Sequence, residues 1–545
     1  MNYRPMCLAA LALMGGIILG ESLYGLSVFL RFIPLFVATT AFVVLVCLKR
    51  TRRYAFVAVA LIVGLLAICG ASDIYDKNTI SGTYEGEIVG RVSGEIDVED
   101  GVSKFYIEDI YVGDTKLRYE AYVFVPTSLE PKFNAGDIVK IKGRLWHAER
   151  EKFHAFHSLD IVRYRAYTLY ADSDADIEKV AEGELHLLER LPYKIKSNFY
   201  ENLDYDTAAI CTALVLGDKD GLDDELYDDI SVSGLAHVLA VSGLHISILS
   251  SALFFVLRKC KVNAKISLAL VFLFTLFYCF ICNFTASSLR ALVMMTVLNF
   301  SIAFGKKKDS LSTLSFSAIL MLLFRPAALF EAGFLLSYSA VLGIILFNGK
   351  FCSAFMKAVN KASPKRHVGT HLAKAVALSL SANLVSYPFV AYFFGRVPVL
   401  FVISNIVVLP YLMFIYVFLL INVVFSVIFV WAGNLVIFKY LLFPFKAYVA
   451  AIGSLNFASV PVSIGVVSII AFLFLCVFLS RFVFLERAKK AVGTLVVSAL
   501  TVVFSLIVAY SGKSASTAEN SVRAYSYAVV TNAEEGCASQ SFDLY

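Results

Sequence analysis

Two histidines, an acidic stretch, one cysteine pair and one arginine are the residues of this 545-residue chain whose types and spacing could do chemistry. His237 and His245 are eight positions apart, which on a helix sets them about 80° and about 12 Å from each other. Joint zinc ligation wants neighbours three or four apart on one face, so the pair is no metal site. With Ser242 and Gly243 beside it, His245 has two readings: a polar packing residue, or part of a helix break that lines a water cavity. The acids Asp218, Asp220, Asp223, Asp224, Glu225, Asp228 and Asp229 invite calcium, but Gly221 is the fourth position from Asp218 where an EF-hand loop needs glycine at the sixth. A solvated helix entrance is the reading adopted. Cys279 and Cys282 lie within an apolar run without a second CxxC at zinc spacing, which points to packing. Arg290 also stands in an apolar run. It either snorkels to a surface or is buried, at an insertion cost of about 2.5 to 3.5 kcal/mol that makes a paired or functional role the default, with Glu331 as candidate partner. Arg325 and Arg396 fall at expected outer span ends, where they would form a basic vestibule. No GxxxxGK[ST] phosphate loop and no nucleophile–base pair at readable spacing occurs, and no metal or cofactor is expected.

The elements that must position these residues are mostly membrane helices. A 59% hydrophobic, 17% charged chain departs from the roughly 45–50% and 25% of soluble domains. Charge is unevenly placed: 24 acids and 15 bases lie between Asp73 and Arg190, leaving 18 acids and 33 bases elsewhere. A soluble enzyme, a disordered chain and a disulfide scaffold are all excluded, the last because none of the ten cysteines falls in the charged island. Spans are expected at Met6 to Leu26, Val28 to Leu48 and Tyr54 to Ala71, and Lys49, Arg50, Arg52 and Arg53 mark the turn between the second and third as cytoplasmic. The amino terminus is then inside and the island outside. Basic turns recur at Arg258 to Lys265, at Lys306 to Lys308, from Lys350 to Lys374 and at Arg487 to Lys490, and a last span, Ala491 to Tyr510, sends the tail outward. The fold class expected is a polytopic α-helical membrane protein of about 11 to 13 spans. Pro398, Pro410, Pro444, Lys439 and Lys446 suggest broken or surface-lying helices between Val399 and Val460.

Within the island the period changes to strand alternation. Glu85 to Val92, Lys104 to Val112, Tyr119 to Val125, Asp137 to Leu145 and Leu159 to Leu169 are five expected strands, enough for a small closed barrel such as the OB type. Lys140, Lys142 and Arg144 alternate along one strand and Arg163 and Arg165 along another, with Tyr164, Tyr167 and Tyr170 nearby. Bases stack on rings while phosphates pair with cations, so this is a candidate single-strand DNA face; a plain solvated strand face is the other reading.

The stretch from Ala213 to Leu249 carries a resemblance. LGDKDGL (Leu216 to Leu222), GLAHVLAVSGLH (Gly234 to His245), TASSLRALVMM (Thr285 to Met295), RPAALFEAGFLLSYSAVLG (Arg325 to Gly343) and the runs Leu384 to Pro398 and Ser404 to Pro410 resemble the ComEC family of bacterial DNA-uptake channels. The resemblance implies four parts: a three-span anchor at 1–71, an extracytoplasmic OB-like domain with a helical linker at 72–191, a competence-type membrane domain at 192–510 and an outer tail at 511–545. It implies a plasma-membrane channel, not an enzyme, that passes single-stranded DNA inward, with Gly217, Asp218, His237, Ser242, Gly243, His245, Ser288, Arg290 and Glu331 in its competence motif. The partners implied are single-stranded DNA, the bilayer and other competence proteins: a separate nuclease, an outer DNA receptor and a cytoplasmic ATP-driven motor. The family's metallo-β-lactamase-like domain is expected to be lacking, since 35 residues follow Tyr510 without an HxHxDH cluster. Rival readings are a non-transporting assembly or DNA-binding subunit, and a membrane enzyme acting on an envelope polymer through His237, His245 and the acidic loop.

A strand crossing 30 Å of hydrocarbon at about 3.4 Å per phosphate would place about nine negative charges in it. The path must be wet, and conduction needs weak, repeated contacts. Ser242, Ser247, Asn283, Ser287, Ser288, Asn383, Ser386 and Asn405 are neutral candidates to line it, each also suited to a helix–helix hydrogen bond.

The charge rule makes a direct prediction. With the other cysteines replaced, Cys260 should react with a membrane-impermeant maleimide only after permeabilisation of cells, whereas a cysteine at Asp100 should react in intact cells; the reverse pattern would invert the topology.

Overall fold

The computed structural model describes residues 5–23, 34, 37–40, 55–78, 83–99, 102–113, 115–126, 133–147, 165–171, 176–183, 187–219, 221–239, 241–282, 284–303, 309–362, 367–429, 435–455, 457–462, 464–465, 468–469, 472–473 and 476. The helices are α1 (Pro5–Leu23), α2 (Ala55–Asn78), α3 (Leu187–Asn202), α4 (Tyr205–Leu216), α5 (Asp224–Val232), α6 (Gly243–Lys259), α7 (Ala264–Ile281), α8 (Ala286–Ala303), α9 (Ser310–Phe324), α10 (Ala332–Ala362), α11 (His367–Phe394), α12 (Phe401–Phe429) and α13 (Ile437–Gly453). The strands are β1 (Thr83–Glu99), β2 (Val102–Val112), β3 (Thr115–Lys116), β4 (Glu120–Pro126), β5 (Ile138–His147), β6 (Arg165–Tyr170), β7 (Ile177–Ala181), β8 (Arg396–Pro398) and β9 (Ser459–Pro461). Two compact units result: residues 2–386 with 398–460, and Tyr387–Val397 with residues from Pro461 onward. In the second unit the Gly395 carbonyl accepts from the Val462 N–H at 2.9 Å.

The protein is a polytopic helical membrane protein with a β-barrel insert. Among the described residues six helices are long and apolar enough to span a bilayer: Pro5–Ser22, Ala55–Ile74, Ala264–Ile281, Ala332–Val359, Gly369–Phe394 and Phe401–Val423. The expected spans at Val28 to Leu48 and Ala491 to Tyr510, and the tail, lie outside the described residues.

Without a hydrophobic force between helices in lipid, close backbone approach must hold them together. Small residues supply it. A Cβ on Gly16 would collide with the Leu61 carbonyl, and one on Gly64 with the Leu13 carbonyl, so α1 and α2 meet backbone to backbone. Their seam joins α9, α10 and the short 3-10 helix Pro326–Phe330 in one buried cluster that includes Leu13, Ile17, Ile68, Leu314, Phe334 and Tyr338. A second cluster packs α4 against α12 and α13 through Ile210, Leu214, Leu412, Ile415, Phe438 and Leu442.

Two sequence expectations are corrected. α12 runs unbroken through Pro410, as membrane helices permit when neighbours satisfy the freed carbonyl. α13 likewise runs unbroken through Pro444. It buries a stripe of Phe438, Leu442, Phe445 and Val449, and Lys446 on it bonds Asp204 at 3.3 Å and Asp206 at 2.9 Å at the N-terminus of α4.

The insert closes as β1-β2-β4-β6-β5 and back to β1, with β4 and β6 parallel and the other pairs antiparallel. This five-stranded closure is compatible with the OB type; β3 and β7 add at its margins. Alternation fills the interior with Ile88, Val92, Phe105, Ile107, Ala121, Val123, Val139, Ile141 and Leu169. Bulges in β1 between Val89 and Arg91 and between Ser93 and Asp97 let that long strand bend from one neighbour to the next.

Asp137 pins the entry to β5. Its carboxylate accepts from the Asn134 N–H at 2.8 Å and pairs with Lys179 on β7 at 2.9 Å. Burial opposes its ionisation, but the Asn134 N–H, Lys179 and the Gly183 N–H together outweigh burial and hold the carboxyl below its ordinary value. A carboxylate with a lowered folded pKa stabilises fully above its unfolded value, about 3.9, and that contribution is lost as pH falls through the folded value. Asp137→Asn should therefore cost about 1–3 kcal/mol at neutral pH, read as faster proteolysis within the barrel, and the gap between variant and wild type should close below about pH 4.

Candidate functional site

Two regions carry polar chemistry: the outer wall of the barrel and a break in the helices after α5. On the barrel, outward residues alternate with the core positions, so strand register decides which of them meet. Lys104 on β2 lies opposite Phe124 on β4, Phe124 opposite Tyr170 on β6, and Tyr170 opposite Arg144 on β5. A second row runs alongside: Tyr106 opposite Tyr122, then Thr168, then Trp146. The rings touch in series. Tyr106 and Tyr122 have centroids 4.5 Å apart, Tyr122 and Phe124 4.6 Å, and Phe124 stacks on Tyr170 at 5.4 Å. Tyr170 and Trp146 are about half exposed, at 49% and 47%. The result is a series of touching rings across β2, β4 and β6, with Trp146 on β5 set beyond Thr168 and a cation at each end of the other row.

This relocates the face expected from sequence. Lys140 points instead to an acidic flank, bonding Glu87 at 2.7 Å and lying opposite Glu178 on β7. The Glu87 carboxylate raises the Lys140 pKa above its ordinary value, so that charge is already answered. Lys142 is exposed and opposite Glu87 in register. Arg144 keeps only a 3.4 Å contact to Glu85, with both side chains well exposed, a pairing that water and salt weaken. Tyr167 is buried in the barrel interior and cannot serve the outer face. Arg163 and Tyr164 lie outside the described residues; Arg165 opens β6, and only its backbone is described. Tyr106, Tyr122 and Phe124 were missed because neither β2 nor β4 looks like a basic–aromatic strand alone. Their regular alternation in KFYIEDIYV and YEAYVFV was the available signal.

In the membrane domain the run GLAHVLAVSGLH holds a break between two helices, one of the two readings open from the sequence. α5 stops at Val232, the chain turns through 233–239, and α6 begins at Gly243. Irregular backbone at this depth is tolerated only where protein satisfies its polar groups. Here it does so from several sides. The Ser233 hydroxyl donates to the Ile230 carbonyl at 2.7 Å, the Ser287 hydroxyl on α8 donates to the Val241 carbonyl, and the Ser242 N–H donates to His245 Nδ1 at 3.0 Å. Accepting at Nδ1 assigns the His245 proton to Nε2. His245 is fully buried, its ring 4.3 Å from that of Tyr416, and among the described residues Nε2 has no hydrogen-bond partner. Tyr416 donates to the Tyr278 hydroxyl at 3.0 Å, which donates to the Val215 carbonyl at 2.8 Å near the end of α4. His237 is exposed, its Nδ1 3.1 Å from the Gly234 carbonyl.

Gly217 caps α4 in the left-handed region, φ 78°, which only glycine adopts at no cost. The next residue, Asp218, pairs with Lys196 on α3 at 2.9 Å. Among the described residues no group of three or more His, Cys, Asp or Glu side chains is placed to hold a metal ion; Asp220 is outside them. Cys279 and Cys282 are free and buried, their thiols directed at the Ser288 and Val215 carbonyls at 3.5 and 3.6 Å.

The neutral residues offered as pore lining are mostly occupied. Ser247 donates to the Gly243 carbonyl at 2.6 Å, Ser288 to Thr285 at 2.8 Å, Asn383 to Ser379 at 3.0 Å and Ser386 to Ala382 at 3.2 Å, while Asn405 reaches the Ser379 hydroxyl at 3.0 Å. Asn283 is not among the described residues. Glu331 is engaged with Arg325 at 3.2 Å across the 3-10 helix, so the expected Arg290–Glu331 pair is replaced by another. Arg290 is 5% exposed, and its guanidinium carbon lies 5.7 Å from the Tyr338 ring centroid. Among the described residues its buried Nη1 has no hydrogen-bond acceptor. A cation–π contact worth about 0.5–2 kcal/mol falls short of the several kcal/mol that ion burial costs.

Residues 214–488 match the family described as Competence protein. Over 209 residues the chain is 30% identical to ComE operon protein 3 of Bacillus subtilis (strain 168), a match covering 38% of this chain and 25% of that relative. The chain thus spans about a quarter of the length of the curated relative it matches. No solved structure matches.

The satisfied break makes its own prediction. Ser287→Ala leaves the Val241 carbonyl without its hydroxyl donor, and Tyr278→Phe leaves the Val215 carbonyl with only the weak Cys282 thiol and the Tyr416 hydroxyl without its acceptor; each should cost about 1–3 kcal/mol in thermal unfolding of the detergent-solubilised chain. Ser353→Ala, which removes an exposed 2.8 Å bond to the Lys350 carbonyl, should change it by less than about 0.5 kcal/mol.

Proposed function

The chain belongs to the competence protein family, and from that membership we propose that it is a channel passing single-stranded DNA inward across the bacterial plasma membrane, not an enzyme. The observation that carries this reading is the platform of Tyr106, Tyr122, Phe124, Tyr170 and Trp146, with Lys104 and Arg144 beside it, on a barrel that directly precedes the competence domain in the chain. Every base has a π face, so a ring platform receives a strand without reading its sequence, and cations at its edge hold the phosphates. Four strands at about 4.8 Å spacing give it a width of roughly 14 Å. The rings are also cross-strand pairs that stabilise the sheet, and that role does not compete with stacking, because it uses edges and shared sides and leaves outer faces to a ligand.

In this reading the barrel lies outside the membrane and delivers the strand to the competence-type helices from residue 192 onward. A cytoplasmic ATP-driven motor draws the strand inward, and a separate nuclease and an outer receptor prepare it. The acidic flank formed by Glu85, Glu87 and Glu178 repels the strand from the remaining wall, confining it to the aromatic side.

Anisotropy of a labelled single-stranded oligonucleotide on the purified full chain tests the platform. Phe124→Ala and Tyr122→Ala should each weaken binding by about 5-fold to 150-fold, corresponding to about 1–3 kcal/mol per stacked base. Lys140→Gln should change it by less than about twofold, since Glu87 already answers that charge. Wild-type affinity in both alanine variants would remove the platform. Entry of the oligonucleotide into proteoliposomes, with the motor or an imposed pull, tests the channel separately.

A further inference from the structure

We propose that Arg290 is a phosphodiester-binding point inside the membrane domain, which holds one phosphate of the passing strand at a time. This rests on the channel reading for the identity of the strand, but the anion site stands on its own geometry. Arg290 lies in the second turn of α8, within the competence-matched residues, and is 5% exposed. Among the described residues no acceptor bonds its guanidinium, and Nη1 is fully enclosed. The Tyr338 ring faces it, at 5.7 Å. That ring is held in place, because its hydroxyl donates to the Ser317 hydroxyl at 3.2 Å and it stacks on Phe334 at 4.2 Å.

A ring beneath a guanidinium contacts its face and accepts none of its in-plane N–H groups. The planar fork, the part of arginine that recognises two oxygens at once, is therefore left unfilled. Structural burial of arginine ordinarily ends on a carboxylate, and the candidate named from sequence, Glu331, is engaged with Arg325. A buried, uncompensated cation with unpartnered donors calls for an anion with paired oxygens. A phosphodiester meets that need with a single charge, so one cation answers one phosphate and the strand can move on, as conduction requires. A carboxylate-paired arginine would hold nothing, and a row of arginines would hold the strand too long.

A phospholipid headgroup carries the same diester, so the test has to separate the two sources. The full chain bearing Tyr122→Ala and Phe124→Ala, which removes the barrel platform, is purified in detergent and its melting followed at low salt against thymidylyl-thymidine, its uncharged methylphosphonate analogue, and glycerophosphoglycerol. The dinucleotide should raise the melting temperature in a saturable way and the two other probes should not. Adding Arg290→Gln should abolish that shift, and Arg290→Lys, which keeps the charge and should keep the fold, should weaken it about tenfold or more because the fork is lost. An unchanged shift in either variant, an equal shift with the methylphosphonate, or an equal shift with glycerophosphoglycerol would each overturn the proposal. Proteoliposome entry distinguishes the two readings: dinucleotide binding that depends on Arg290 without DNA entry would sink the channel and leave the site, whereas DNA entry with binding independent of Arg290 would sink the site and leave the channel.

Discussion

Hydrocarbon offers no hydrogen bonds, so every polar group at membrane depth in this protein has to find its partner within the protein. Much of the helical region follows from that requirement. Serine and threonine hydroxyls fold back on carbonyls a turn earlier, as Ser247, Thr275, Ser315 and Ser381 do. Where the chain departs from helix between α5 and α6, a donor arrives from Ser287 on α8 and an acceptor from His245 Nδ1. A hydroxyl relay from Tyr416 through Tyr278 ends on the α4 carbonyl of Val215, tying α12 and α7 to the same place. The competence motif is thus first a solution to a backbone problem: a broken segment in lipid stays broken only if its surroundings complete it.

Among the described residues, His245 Nε2, Arg290 Nη1, Thr212 Oγ1 and Asn405 Oδ1 are buried without a protein partner, and of these four groups only Arg290 carries a charge. Most other polar candidates are spent on packing, which explains why a row of serines and asparagines is a poor guide to a conduction path. An unfilled donor beside a fixed ring is a better one, since its cost persists unless something binds.

The barrel works under the opposite regime. Water surrounds it, exposed ion pairs are weak, and its distinguishing surface is aromatic. The parallel β4–β6 pair sets Phe124 on Tyr170, 46 residues further along the chain, while Lys140 and Lys142 are both matched to Glu87 on β1. Charge therefore separates around the wall into an acidic flank and an aromatic side, although the domain as a whole is acidic.

How much of this was legible beforehand follows from the range of each interaction. Hydrophobic length, strand alternation and basic turns act within one element, so membrane class, barrel and family motifs could be read from the residues alone. Alternation also placed Lys104, Tyr106, Tyr122 and Phe124 on outward positions, but a one-residue change of register would have set them against other neighbours, so only strand pairing could put Tyr170 beside both Phe124 and Arg144. His245 and Arg290 stood out by type in an apolar context, yet whether they were paired depended on α10 and α12, which lie far along the chain. The sequence by itself determined which residues would be costly to bury; tertiary packing decided which were compensated, because a partner for a buried charge comes from whichever element the fold places against it.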